Sequence, residues 1–304
     1  MIRIVTRNSK LALWQAEHVS QLLRLGGLEN QLIPISTKGD KVLDVTLHKI
    51  GSKGVFTEEL EEMLASGEAD IAVHSAKDLQ STLPPGFEII AFSKRENPID
   101  VLVSDQEIDL SQQLTIGTSS TRRVAYLRHF YPHLQIVGMR GNLQTRIEKM
   151  RSGVCDALLL AYAGVHRMGY GDMIRHQFEP GTFVPAVGQG SLAIECHASL
   201  DPSLKSQIRQ LLNDPVTEQC LMAERSYLAT MNGGCSIPVF GWAQAHGQFI
   251  HLKAGIISLD GQQKITEYAE DSDPEILGNA LAKKILSLGG DQILKDIRTQ
   301  LNQS

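Results

Sequence analysis

Long apolar runs, paired cysteines and an excess of basic charge are all missing from this chain of 304 residues. Its longest aliphatic run, Ala157 to Ala161, falls far short of the roughly 20 residues that a membrane-spanning helix needs, so no membrane segment is expected. The first residues, Met1-Ile2-Arg3-Ile4-Val5-Thr6, alternate like a strand. They carry no charged lead, apolar stretch or small-residue cleavage site, and a cytoplasmic protein is expected. The four cysteines, at 155, 196, 220 and 235, form no close pair of the kind that builds a zinc site or a redox motif. No metal is expected, and a reduced intracellular protein is the simple reading. With 29 Lys and Arg against 34 Asp and Glu, the net charge of −5 argues against a generic nucleic-acid binder. Repeats and low-complexity tracts are absent as well.

What is present is an alternation of short strands and amphipathic helices. Ile2 to Thr6 reads as strand, Lys10 to Leu25 as helix stopped by Gly26-Gly27, and Gln31 to Thr37 as strand. Thr57 caps a further helix with Leu60, Met63 and Leu64 as its buried stripe, and Asp70 to Val73 follows as a buried strand. A second run of the same kind begins near Pro98, with strands at Leu114 to Gly117, Gln135 to Met139 and Asp156 to Leu160. Such alternation predicts parallel sheets with crossover helices. Leu192 to Ile194 is an apolar strand placed to return to the first sheet. Asp214-Pro215 starts a helix carrying Val216, Cys220, Ala223 and Tyr227. Strands at Gln248 to Ser258 and Lys264 to Tyr268 and a helix at Pro274 to Leu288 then make a small α+β domain. Cys155 and Cys196 fall in strand-like apolar runs.

Charge is unevenly spread. Between Gly117 and His176 there are nine Lys or Arg and three acids. The arginines recur where strands give way to helices: Arg122 and Arg123 after Gly117-Thr118-Ser119-Ser120, Arg140 in Arg140-Gly141-Asn142, Arg146 one turn beyond its cap Asn142, and Arg167 after the third strand. Amides, hydroxyls and guanidiniums gathered there suit a polyanion with several carboxylates. Taken singly, each arginine is better explained by solvation or an ordinary ion pair; their joint placement shifts the balance. Interleaved aromatics are lacking, which ranks nucleic acid below a small polyanion. Asp78 follows the strand Asp70 to Val73 beside His74, Ser75 and Lys77, where ligand sites of open α/β sheets collect; a loop or cap role is the plain alternative. Cys235 stands in Gly233-Gly234-Cys235-Ser236, a loop open to close approach, with no neighbour that lowers its thiol pKa.

Several stretches together resemble the porphobilinogen deaminase (hydroxymethylbilane synthase) family over nearly the whole chain. They are Thr6 to Ser9 with Leu11 to Gln15, Gly51 to Phe56, Asp70 to Asp78, Gly117 to Arg123, Arg140-Gly141-Asn142 with Thr145-Arg146, Pro185 to Gly190, and Gly233-Gly234-Cys235. The resemblance implies an α/β fold with two periplasmic-binding-protein-like domains around a cleft and a small C-terminal α+β domain. The expected domains are 1–95 with 189–210, 96–188, and 211–304. It implies a dipyrromethane cofactor joined by a thioether to Cys235 and a catalytic aspartate at Asp78. The implied reaction is head-to-tail condensation of four porphobilinogen molecules, with release of ammonia, and hydrolysis to hydroxymethylbilane.

Arg7, Lys53, Ser75, Lys77, Thr118, Ser119, Ser120, Arg122, Arg123, Arg140, Gly141, Arg146, Arg167 and Gln189 fall on binding positions. The partners so implied are porphobilinogen and the growing polypyrrole chain, on a monomer that needs neither nucleic acid nor membrane. Two positions depart from the pattern: Leu79-Gln80 stands where the family commonly has Val-Pro, which leaves the backbone after Asp78 less constrained, and Asn232 replaces a commonly acidic residue. The rival reading is a noncatalytic, hinged anion-binding protein, which predicts an unmodified Cys235.

Overall fold

The computed structural model describes residues 1–41, 57–234 and 236–303. Lys53 and Cys235 lie outside the described residues. The chain first forms β1 (Ile2–Arg7), α1 (Lys10–Leu25), β2 (Asn30–Ile35), a short α2 (Lys38–Lys41), α3 (Glu58–Ala65), β3 (Ile71–Ser75) and β4 (Phe87–Phe92). Next come β5 (Asp100–Val103), β6 (Thr115–Gly117), α4 (Thr121–Phe130), β7 (Gln135–Val137), α5 (Leu143–Arg151), β8 (Ala157–Ala161), α6 (Tyr162–Arg167) and β9 (Ile174–Gln177). Then follow β10 (Leu192–His197), α7 (Pro202–Leu212) and α8 (Pro215–Thr230). Last are β11 (Val239–His246), β12 (Phe249–Ile257), β13 (Lys264–Asp271), α9 (Pro274–Ile285) and α10 (Asp291–Gln303).

These elements fall into two compact units, Met1–Glu96 with Gly190–Glu218, and Asn97–Gln189 with Gln219–Ser304. The first holds one five-stranded sheet in the order β2-β1-β3-β10-β4. β1 runs parallel to β2 and β3, whereas β10 is antiparallel to β3 and β4. The second holds a sheet in the order β7-β6-β8-β5-β9, with β6 parallel to β7 and β8 and with β5 antiparallel to β8 and β9. Both sheets are therefore built alike: three parallel strands, then one antiparallel strand, then an outer strand. In each, the antiparallel strand is the first that the chain makes after passing from one unit to the other. The second unit also carries an antiparallel meander, β11-β12-β13.

Local chemistry accounts for these elements. The Ser9 hydroxyl accepts a hydrogen bond from the Ala12 amide at 3.4 Å, and α1 ends at Gly26 and Gly27, the latter at φ +82°, a region that favours glycine. Its buried face, Ala12, Gln15, Ala16, Val19, Ser20 and Leu23, follows the helical period. In β3, Ile71 and Val73 join the core that includes Ala16, Val19 and Leu23, while Ala72 joins Val5, Leu60 and Leu64 on the other face. β8 is buried along its length in the same two-sided way, Leu159 facing one core and Leu158 and Leu160 another. Each such aliphatic side chain contributes roughly 1.5–3 kcal/mol on burial, before the entropy of ordering is set against it. Over the meander, Cys220, Ala223 and Tyr227 of α8 pack with Leu277 and Leu281 of α9 against Leu252, Ala254 and Ile256.

Several expectations shift. Cys155 lies just before β8 rather than in a strand, and Val216 is exposed while its neighbour Thr217 is buried. The helix expected to Leu288 ends at Ile285, and Gly289 at φ +105° separates it from α10. β4, β5, β9, β11, α7 and α10 had no place in the sequence reading.

Candidate active site

In the first unit the parallel register of β1 and β3, Ile4 opposite Ile71 and Val5 opposite Ala72, brings both strands to one carboxyl edge. Arg7 closes β1 there, and Ser75 closes β3. A single 3-10 turn, Ala76–Asp78, follows directly, anchored by the Ala76 amide on the Ser191 carbonyl at 3.0 Å. The Ser75 hydroxyl accepts a hydrogen bond from Gln15 Nε2 at 2.8 Å. Ser75, Lys77 and Arg7 are half-buried, and Asp78 is exposed, presented at the end of a strand whose body is buried on both faces. That is where a carboxylate meets a ligand without first having to be desolvated by the fold.

The second unit gathers donors in the same way. β6, β7 and β8 are parallel, so the segments after them emerge at one edge: Thr118 to Arg123 after β6, Arg140 and Gly141 after β7, and α6 with Arg167 as its last residue after β8. Thr118 is buried, and its hydroxyl accepts from the Ser120 amide at 3.4 Å. Ser120 occupies the cap position of α4 without a side-chain cap hydrogen bond. Gly141 stands at φ +114°, and the Arg146 Nε donates back to its carbonyl at 2.7 Å. Asn142 caps α5, accepting from the Thr145 amide at 2.9 Å.

Arg122 and Arg123 are more deeply set than the sequence suggested, 5% and 7% exposed. Both meet the fully buried carboxylate of Asp100, each at 2.7 Å. Arg122 also donates to the Val184 carbonyl at 3.0 Å and Arg123 to the Leu159 carbonyl at 3.1 Å. Gln189, 1% exposed, completes the cluster by donating to Asp100 Oδ1 at 3.0 Å and to the Pro98 carbonyl at 2.6 Å. Burial drives the Asp100 carboxyl up, but Arg122, Arg123 and the Gln189 amide outweigh it and bring it down to about 2. Two guanidiniums thus share one carboxylate. The Arg122 Nε is buried without a hydrogen-bond partner among the described residues. A buried donor of this kind suits a carboxylate-bearing ligand. Asp100 gave no signal in the sequence, because its partners lie 22 and 23 residues further on.

In this α/β protein the parallel-strand edge of the first unit carries the exposed carboxylate of Asp78 beside Lys77, and that of the second unit carries a group of guanidiniums. The family described as "Porphobilinogen deaminase, dipyromethane cofactor binding domain" matches residues 2–205, and "Porphobilinogen deaminase, C-terminal domain" matches 218–287. A porphobilinogen deaminase of Cytophaga hutchinsonii is 53% identical over 308 residues, covering 100% of this chain and 99% of that protein. Another, from Desulfosudis oleivorans, is 51% identical over 305 residues and covers 98% of each. Among solved structures, the periplasmic VFT2 domain of Bordetella pertussis BvgS aligns with a TM-score of 0.42 at 17% identity, over 74% of this chain and 92% of that one. The chain belongs to the porphobilinogen deaminase family, enzymes of the transferase class.

Proposed function

We propose that this protein condenses four porphobilinogen molecules head to tail on a dipyrromethane primer held by a thioether to Cys235, releases ammonia at each step, and frees the product as hydroxymethylbilane. The observation that carries the reading is the convergence of arginines on the carboxyl edge of β6, β7 and β8, because every pyrrole of such a chain brings an acetate and a propionate. Arg7, Lys53, Lys77, Arg122, Arg123, Arg140, Arg146 and Arg167 hold those carboxylates, the arginines as planar two-pronged donors. Ser75, Thr118, Ser119, Ser120, Gly141 and Gln189 supply or orient the remaining hydrogen bonds. Bound dipyrromethane supplies the nucleophilic pyrrole carbon that the first substrate joins.

Asp78 performs the proton chemistry. Its carboxylate accepts a hydrogen bond from the departing ammonium of porphobilinogen and offsets the positive charge that builds on the substrate's methylene carbon. It then takes up the proton lost as the new carbon–carbon bond forms. Attachment at Cys235 is supported by the state of the other cysteines: Cys155, Cys196 and Cys220 are buried, and burial pushes the thiols of Cys155 and Cys196 up to about 11 and about 12. A cytoplasmic monomer, divided as 1–95 with 189–210, 96–188 and 211–304, is part of the same reading. The meander packs under α8, α9 and α10, while its Phe240 and Ile257 also join the core of β6, β8 and α4.

Incubation with porphobilinogen, following ammonia and hydroxymethylbilane together, tests the proposal. Stoichiometric appearance of both is expected; binding of porphobilinogen without ammonia release would leave the noncatalytic anion binder as the better reading.

A further inference from the structure

Beneath the Asp78 turn lies a group of titratable side chains to which the reaction above assigns no part. Alternation along β3 sends Ile71 and Val73 to one face of the first sheet and Ala72 and His74 to the other. In β10, Leu192, Ile194 and Cys196 share the face of Ile71, so alternation places Glu195 on the face of His74. α3 covers that face with Leu60, Glu61 and Leu64 inward. Three elements thus deliver Glu61, His74 and Glu195 to one buried place, 7%, 6% and 0% exposed.

The group is incompletely satisfied. His74 Nε2 approaches Glu195 Oε2 to 2.9 Å, but off the line a hydrogen bond requires, so Nε2 and both Glu195 oxygens have no hydrogen-bond partner among the described residues. Two carboxylates and one imidazole thus occupy a dry site, where uncompensated negative charge is costly. Glu61 is pushed toward its neutral form: burial raises its carboxyl, with the Thr57 hydroxyl opposing, negative Glu195 adding to the rise and His74 opposing it.

Both ends of the Asp78 turn rest on this group. His74 immediately precedes Ser75 and the turn Ala76–Asp78. Beyond the turn, Leu79 is buried, and Gln80 Nε2 donates to Thr57 Oγ1 at 3.4 Å and Glu61 Oε1 at 3.5 Å. Gln80 ties down with a side chain the segment that a proline ring at this position would restrain through its backbone.

We propose that buried Glu61 retains its proton inside the first unit and that Glu61, His74 and Glu195 act, with Gln80, as positioning residues that hold the Asp78 turn in its reactive place. Loss of that proton at high pH adds an uncompensated anion under the turn, and the strand end that carries Asp78 relaxes. This inference rests on the functional reading above.

The test is steady-state kinetics of the cofactor-loaded enzyme from about pH 6 to about pH 9, on Glu61→Gln, His74→Gln, Glu195→Gln and Gln80→Ala, with thermal melting alongside. For Glu61→Gln, kcat is expected to fall on the order of tenfold with KM little changed, and the alkaline limb of its kcat profile to move, since small displacements of a reacting group cost rate rather than binding. A merely structural role would lower the melting temperature and leave the pH profile in place; that result, in folded variants, overturns the proposal. Gln80→Ala acts from the half-buried end of the turn, so it decides the matter if the buried variants do not fold: a lower kcat supports the proposal and an unchanged one defeats it. Wild-type enzyme that does not turn over porphobilinogen would defeat the functional reading itself, whereas wild-type turnover with unaffected variants defeats only this inference.

Discussion

Asp100 sets the charge balance of the second unit, since its one buried carboxylate faces the guanidiniums of both Arg122 and Arg123. Asp100→Asn leaves those cations with a neutral partner, and urea denaturation should show a loss of about 3–5 kcal/mol. The folded carboxyl lies at about 2, below its ordinary 3.8. Its contribution is therefore complete above the ordinary value and is lost as pH falls through about 2, so acid unfolding of the wild type should steepen in that interval and Asp100→Asn should lack the step. Asp78 presents the opposite case, an exposed carboxylate on a buried strand end. Asp78→Asn should fold normally by circular dichroism while turnover drops by about 100-fold or more. At this scale the sequence exposed residues that stand beside strand ends, such as Asp78 and Arg140, because local order places them. It hid Asp100, Glu61 and Glu195, whose importance arises from partners that only the folded sheets bring near.

Among the elements, α5 shows how a local signal serves a site. Its Asn142 cap satisfies the Thr145 amide and fixes the start of the helix that carries Arg146. Asn142→Ala should cost about 1 kcal/mol in denaturation and weaken retention of elongated chains, measured as early release of short products. The contact between α8 and α9 is tighter still: a Cβ at Gly278 would stand 2.3 Å from the Ala223 carbonyl oxygen and 2.7 Å from Ser226 Cβ. Gly278→Ala should destabilise the meander and its helices by about 1–3 kcal/mol, with the loss seen as a lower urea midpoint. Elements with strong periodicity and clean ends, such as α1 between Ser9 and Gly26, could be read from sequence to the residue. β11 could not, because Gly241, Ala243 and Ala245 give its pattern little hydrophobic contrast and its pairing with β12 supplies what its side chains do not. β5 is four residues long and buried throughout, too short for its apolar run to distinguish strand from helix.

At the scale of the molecule, two sheets of one design arise because the chain passes from the first unit to the second and back, giving each an antiparallel strand, β10 in one and β5 in the other. The carboxyl end of each parallel set carries candidate site residues, Asp78 on the first sheet and the arginines on the second. Polyanion binding and a candidate acid-base group could be argued from the residues alone, whereas the pyrrole chemistry entered through family resemblance, for which 53% identity across the chain is the support. Arg140→Leu should slow chain extension unevenly, which quenched-flow separation of the elongation intermediates would reveal as a pile-up at particular lengths; uniform kinetics at every step would count against a carboxylate-holding role.

On the proposed function, the product is built on a primer attached to Cys235. Mass spectrometry of the denatured protein, with a peptide map across Gly233-Gly234-Cys235-Ser236, addresses it directly. Active protein should be heavier than its sequence by two linked pyrrole units, with the added mass on the Cys235 peptide. Protein that turns over porphobilinogen with an unmodified Cys235 would contradict it.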